Sequence, residues 1–301
     1  MRSLARVLGL GLRRAVPSAL KAKLPLSLRA RARALLGIEP WPDLAVRHRL
    51  FRGSRYRAMR RAAAPFDVYR KPYKPVIERG HQTSFVAAEW FARAGVRSVF
   101  HVGYASGRYV FYFLQAGIDA GGTELAPEDT PDIEVPLSLF QTPTRARLAR
   151  QDFFDLTPAR VRAIWGDPGA FPLGVLFTEA TFETLLPWRI KGFTIAKYGQ
   201  AAVETRETIL RRQLPDTLSR LQSCFRNLVF IEPEPGAGGA GEVFDACAKD
   251  LPGFEYSVWR FRPPLDRLFR LSPSQPTQQA VYAYTKDPAL LTALGEYAVR
   301  A

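Results

Sequence analysis

Gly103, Ala105 and Gly107 fall within a single five-residue stretch, and Glu124 follows Gly103 by 21 positions. An apolar run, residues 96–102, precedes the glycines. A helical run, residues 108–116, follows them, and a second short strand then ends at Glu124. Strand, small-residue turn, helix, strand and terminal acid make a unit suited to a nucleotide. The turn lets a ligand approach the backbone, the helix start offers free N–H groups, and the acid can bind a ribose diol. Such a turn by itself is often only packing. The interval to Glu124, together with Asp152 at the end of the next strand, makes the pattern more specific.

Other chemistries find less support. Residues 236–241, GAGGAG, also spell G-x-G-x-x-G, but Pro233 and Pro235 precede them and no acid ends a following parallel strand. A flexible loop is the better reading there, and a nicotinamide dehydrogenase the weaker one. Ser106 is not centred in G-x-S-x-G, and Arg108 stands where a phosphate-loop lysine would follow Gly107. Cys224 and Cys247 give neither a disulfide framework nor zinc-ligand spacing, which fits a reducing compartment. His101, on a strand end, reads as a buried histidine with one hydrogen bond or as a polar contact to a ligand. His48 and His81 read as surface or linker residues, with His81 within reach of the cleft.

The elements that position these groups follow from periodicity. Residues 82–94 make an amphipathic helix with Phe85, Val86, Trp90 and Phe91 inward and Thr83 or Ser84 as its cap. Residues 126–131 form a loop. Strands are expected at 146–152, at the charge-free run 171–178, and at 228–231, 254–261 and 279–285, with a helix starting at Pro288. The gap between the fourth and fifth strands exceeds what one crossover needs. It contains Glu179, Glu183, Pro187, Trp188, Arg189, Lys197 and Tyr198, then a helix over 201–212. Ligands of such sheets sit beyond the carboxyl ends of the strands, so this insertion lies where an acceptor would lie.

Three segments, HVGYASG at 101–107, GTEL at 122–125 and RQDF at 150–153, together resemble the first motifs of class I S-adenosylmethionine-dependent methyltransferases. The resemblance covers about residues 82–286. It implies a Rossmann-like doubly wound α/β fold of seven strands, mostly parallel, with an antiparallel hairpin at one edge. It also implies that Gly103, Ala105 and Gly107 pass under the methionine end of S-adenosyl-L-methionine. Glu124 would hold the ribose hydroxyls, Asp152 the adenine amino group, and Phe153 would lie against the adenine ring. His101 stands where the family usually has a carboxylate, and Ala105 where it usually has glycine. Methyl transfer needs proximity and alignment first, with a base for the acceptor's proton. Glu179 and Glu183, spaced for one helical face, are the candidates for that base or for acceptor contact. Capping a helix or pairing with Arg189 would explain them equally well. The Asn/Asp-Pro-Pro-Tyr motif of many nitrogen-specific relatives is absent from TEATF at 178–182, which favours an oxygen acceptor. Glu232 and Glu234 fall short of the acid cluster a metal-dependent relative needs.

The charge is unevenly distributed. Residues 1–80 hold 20 Lys/Arg and 4 Asp/Glu, whereas residues 81–301 hold 23 and 24. The whole surplus of +15 therefore lies in the first 80 residues, which read as a basic extension before a methyltransferase-like domain at 81–301. Leu4, Val7, Leu8 and Gly11 share a helical face, and residues 26–36 alternate leucines with arginines. No run there is long enough to cross a bilayer. Packing on the main domain, lying on an anionic membrane surface and acting as a presequence all fit this chemistry. Residues 39–80 interleave arginines with Trp41, Phe51 and Tyr56, a composition suited to a lid, a substrate platform or a single-stranded nucleic acid. Pro65, Pro72 and Pro75 mark a linker. The resulting expectation is a cytoplasmic enzyme, peripheral to the membrane in one version, with a small-molecule or glycan acceptor. An RNA methyltransferase and a non-catalytic binding module are the alternatives.

Overall fold

A computed structural model of the 301-residue chain describes residues 48–67, 74–104, 107–124, 146–166, 171–179, 206–234, 240–247, 249–270 and 278–301. The expectations on residues 1–47, 126–131, 181–200 and 236–239 therefore lie outside the described residues, as do those on Pro72, Ala105 and Ser106.

Eight strands form one sheet: β1 (Ser98–Val102), β2 (Asp119–Glu124), β3 (Ala146–Arg150), β4 (Leu173–Glu179), β5 (Phe225–Pro233), β6 (Glu255–Phe261), β7 (Gln279–Thr285) and β8 (Ala298–Arg300). Their order is β3-β2-β1-β4-β5-β7-β6-β8. The first five strands in that order are parallel, and β7 pairs antiparallel with both β5 and β6. The expected mostly parallel sheet with an antiparallel edge is present. β8, three residues paired to β6, extends it beyond the seven strands expected. The order reverses between β1 and β4, and that switch point opens the crevice where a ligand can sit.

Nine helices cover the sheet among the described residues: α1 (Arg49–Arg52), α2 (Ser54–Ala62), α3 (Lys74–Arg93), α4 (Arg108–Gln115), α5 (Pro158–Trp165), α6 (Arg206–Leu221), α7 (Ala240–Cys247), α8 (Leu265–Leu268) and α9 (Pro288–Leu294). α3 and α4 cover one face over a core of Phe91, Val99, Phe113, Val175, Phe177 and Val229. α5, α6 and α7 cover the other over Phe100, Trp165, Leu176, Leu214, Leu228 and Phe244. β4 contributes to both cores, as its charge-free run requires.

Several bounds differ from the pattern reading for physical reasons. α3 begins at Lys74, because a proline in the first turn gives up an N–H that has no helical partner anyway. Pro75 thus starts a helix instead of a linker. Thr83 and Ser84 sit inside it, and their hydroxyls donate back to the Gly80 carbonyl at 3.1 and 2.7 Å. α6 runs on to Leu221 through Pro215. The bond lost there belongs to Arg211, a solvent-exposed residue whose carbonyl water can satisfy. β5 starts three residues early because the buried Asn227 is satisfied, donating to the Gly174 carbonyl at 3.0 Å and accepting from Thr285. Ala240 and Gly241, the end of the glycine-rich run, open α7 instead of extending a loop.

Arg220 on α6 donates to the carbonyls of Leu156 at 2.9 Å and Phe154 at 2.8 Å, fixing the segment that follows β3. Arg220→Met is expected to lower stability by about 1–2 kcal/mol, read as an earlier urea midpoint. An unchanged midpoint would show that the clamp contributes nothing.

Candidate active site

The turn after β1 has the backbone its glycines are needed for. Gly103 has φ 73° and Gly107 φ 75°, both left-handed and costly for any residue with a Cβ. The N–H groups of Gly103 and Tyr104 donate to the Thr123 carbonyl at 2.8 and 3.4 Å, which ties the turn to the end of β2. Gly107 is the N-cap of α4 and has no side chain to cap the N–H groups of its first turn.

Glu124 closes β2 beside this turn and is 2% exposed. Asp152 follows β3, is buried, and its Oδ1 accepts from the Phe154 N–H at 3.0 Å. Phe153 is a core residue: its ring is 1% exposed, edge-on to Phe154 at 5.3 Å, in the cluster that includes Phe100 and Val102. The structure thus brings Gly103, Gly107 and Glu124 together at the carboxyl ends of β1 and β2, with Asp152 on the strand beyond.

Glu179 is the last residue of β4, not the start of a helix, and Glu183 lies outside the described residues. His101 pairs in register with Phe177, so Glu179, two residues on, is level with Gly103 across the switch point. Glu179 keeps partial exposure, yet burial is the strongest influence on it and raises its pKa, while Arg79 and Arg108 pull it back. Arg79, from α3, donates its Nε to the Leu268 carbonyl at 2.6 Å and a second bond to the Arg270 carbonyl. The Arg108 guanidinium lies against Gly80, where a Cβ would come within 2.5 Å of its carbon. The two arginines reach Glu179 from helices that touch over a glycine, a contact with no local sequence pattern.

His101 is 2% exposed, with the rings of Tyr109 and Phe177 at 5.1 and 5.2 Å. Its Nδ1 has no hydrogen-bond partner among the described residues, and burial pushes the imidazole down to about 3, so the ring is neutral. Three more buried oxygens near the crevice lack partners among the described residues: the hydroxyls of Tyr104, Tyr109 and Thr123. Glu179 and Thr83 lie near the Tyr109 hydroxyl without completing a hydrogen bond at good geometry. Sequence reading missed Tyr104, Tyr109 and Arg79 as site residues.

Of the other histidines, His81 is not a surface residue, whereas His48 keeps partial exposure. His81 is fully buried, with its Nδ1 3.2 Å from the Tyr112 hydroxyl, and His48 caps α1 by accepting from the Leu50 N–H. Glu234 pairs with Arg260 at 3.3 Å, and no acid, histidine or cysteine cluster suited to a metal occurs among the described residues. Phe51 and Tyr56 are buried against Phe85 and so cannot stack on bases, whereas Arg49, Arg52, Arg57 and Arg61 are exposed. No helix among the described residues is long and apolar enough to cross a membrane. A cavity of about 300 Å³, bounded by Ser98, Asp119, Arg147, Gly174 and Asn227, opens at the amino ends of the strands, away from this crevice.

No protein-family model matches the chain, and no curated protein matches it. Solved structures do. A TehB-like S-adenosylmethionine-dependent methyltransferase from Corynebacterium glutamicum is 15% identical, covering 67% of this chain and 87% of its own, with TM-score 0.39. The METTL16 methyltransferase domain is 9% identical over 66% of each chain, with TM-score 0.40. WbdD, a bifunctional kinase-methyltransferase, is 14% identical over 69% of this chain, with TM-score 0.38. The match spans 40% of the length of WbdD. At these scores the likeness is one of general architecture, and the strand order carries the assignment. A parallel sheet reversing between β1 and β4, with β7 inserted antiparallel between β5 and β6, is a Rossmann-like fold of the class I methyltransferase type.

Proposed function

We propose that the chain is an S-adenosylmethionine-dependent methyltransferase acting on an oxygen of a small molecule, such as a sugar or lipid-linked glycan. The observation that carries this reading is the group of partnerless buried polar atoms around the Gly103–Gly107 turn and Glu124. Buried polar groups are normally satisfied, and a polar ligand entering at the switch point would satisfy these. The left-handed glycines and the buried Glu124 fit such a group.

When bound, the cofactor supplies a methyl group on a sulfonium, already activated for in-line displacement. In this reading Gly103, Ala105 and Gly107 allow close approach of the backbone, and Glu124 accepts hydrogen bonds from the ribose hydroxyls. Asp152 and Phe153 border the adenine end, and His101 supports the turn as a neutral ring. Glu179, level with Gly103, takes the acceptor's proton, with Glu183 second in line on sequence spacing alone. Arg79 and Arg108 oppose the effect of burial on the Glu179 carboxyl.

The exposed arginines of α1 and α2, continuous in sequence with the basic residues before them, suit an anionic membrane surface that presents a lipid-linked acceptor. Burial of Phe51 and Tyr56 weighs against single-stranded RNA as the partner.

The test is transfer of labelled methyl groups to sugar, lipid-glycan and RNA acceptors. Glu179→Gln is expected to lower kcat about 100-fold while leaving S-adenosylhomocysteine affinity unchanged. Because burial raises the Glu179 pKa, wild-type kcat should climb with pH through that raised value, and the variant should lose this limb. Equal kcat in both proteins would remove Glu179 from the chemistry. Transfer to RNA alone would overturn the acceptor class.

A further inference from the structure

Tyr104 follows the first glycine of the turn, and its side chain is not explained by packing alone. The ring is 2% exposed within the core that α4 covers, yet its hydroxyl has no hydrogen-bond partner among the described residues. Its N–H is tied to the carbonyl of Thr123, the residue before Glu124. Glu124 and Arg150 are both close enough to influence the phenol, in opposite directions. A buried hydroxyl left unpaired costs stability, and a phenylalanine of the same shape would avoid that cost. The hydroxyl is thus a donor that no described residue uses.

The chemistry of Glu124 identifies that group. An ionised carboxylate only accepts hydrogen bonds, so it can satisfy the donor protons of a ribose diol and nothing else on it. Each ribose hydroxyl oxygen then keeps lone pairs that need a donor, and Tyr104 presents an unused O–H in the same buried corner.

We infer that Tyr104 is a ribose-recognising residue of the cofactor site, its O–H donating to a ribose hydroxyl whose proton goes to Glu124, so that the pair selects ribo- over deoxyribonucleosides. This rests on the proposed cofactor. Burial, and after it the Glu124 charge, push the phenol up to about 12, which keeps it a donor across the neutral range.

Titration of the full chain and of Tyr104→Phe with S-adenosylhomocysteine and its 2′-deoxy and 3′-deoxy analogues tests the inference. Wild type should prefer the ribose compound over at least one deoxy analogue by about 100-fold. Tyr104→Phe should bind the ribose compound about 10-fold more weakly and discriminate correspondingly less. Its ligand-free Tm should equal or exceed that of wild type, because the ring is kept and an unpaired hydroxyl removed. A purely structural role would lower that Tm and leave discrimination intact. Equal affinity and equal discrimination in both proteins would overturn the inference while leaving the cofactor reading standing. Wild type that binds none of the three compounds would overturn both.

Discussion

Glu124→Ala binds S-adenosylhomocysteine about 1,000-fold more weakly than wild type, the largest effect expected of any single substitution in the chain. A carboxylate that accepts from both ribose hydroxyls makes two charge-assisted hydrogen bonds, each contributing about 1.5–3 kcal/mol. Their sum, on the order of 4 kcal/mol, corresponds to about three decades in affinity. The group sits at the end of β2 and is almost fully buried, so bulk water cannot replace it cheaply. Glu124→Gln, which keeps the shape but loses the charge, should fall between the two. Calorimetric titration measures all three proteins. If Glu124→Ala bound as tightly as wild type, Glu124 would have no part in the cofactor site.

The second large effect is on stability in acid. The His101 ring is held neutral in the fold, at about 3, against 6.5 for the free side chain. Below pH 6.5 the unfolded chain takes up a proton that the folded chain refuses, so stability falls as pH drops and the loss is complete near pH 3. The full difference is as much as about 5 kcal/mol, and none of it operates above pH 6.5. His101→Gln removes the titration. Urea denaturation at a series of pH values should show wild type losing stability faster than the variant between pH 6.5 and 4. Parallel curves would mean that the ring is hydrated or moves to meet a partner on protonation. The same residue bears on function: a neutral ring puts no negative charge under the turn, which among the described residues leaves Glu124 and Glu179 as the acids beside it.

The parts of this architecture that are legible in sequence are those set by local patterns. The Gly103–Gly107 turn, α4 and the end of β2 at Glu124 follow one another within a short span, and each announces itself by residue type. The inward face of α3, with Phe85, Val86, Trp90 and Phe91, shows in its helical spacing and is buried as expected. β7 was bounded correctly at both ends by alternation between turn-forming segments.

What stayed hidden depends on partners distant in the chain. Asn227 looks like a strand terminator until Gly174 and Thr285 satisfy its amide. His81 looks like a linker residue until Tyr112 closes over it. The grouping of Arg79, Arg108 and Glu179 brings together α3, α4 and β4 where the Arg108 guanidinium lies against Gly80, and no spacing rule encodes it. Tyr104 was visible as a letter in the turn, but its unpaired hydroxyl appears only once burial is known.

Calorimetric titration of the 301-residue chain with S-adenosylhomocysteine, with NAD as the control, tests the central claim most directly. Saturable binding of S-adenosylhomocysteine at one site, with no heat from NAD, is the result predicted here. Silence with S-adenosylhomocysteine, or binding of NAD in its place, would contradict the assignment of the crevice between β1 and β4 to a sulfonium cofactor.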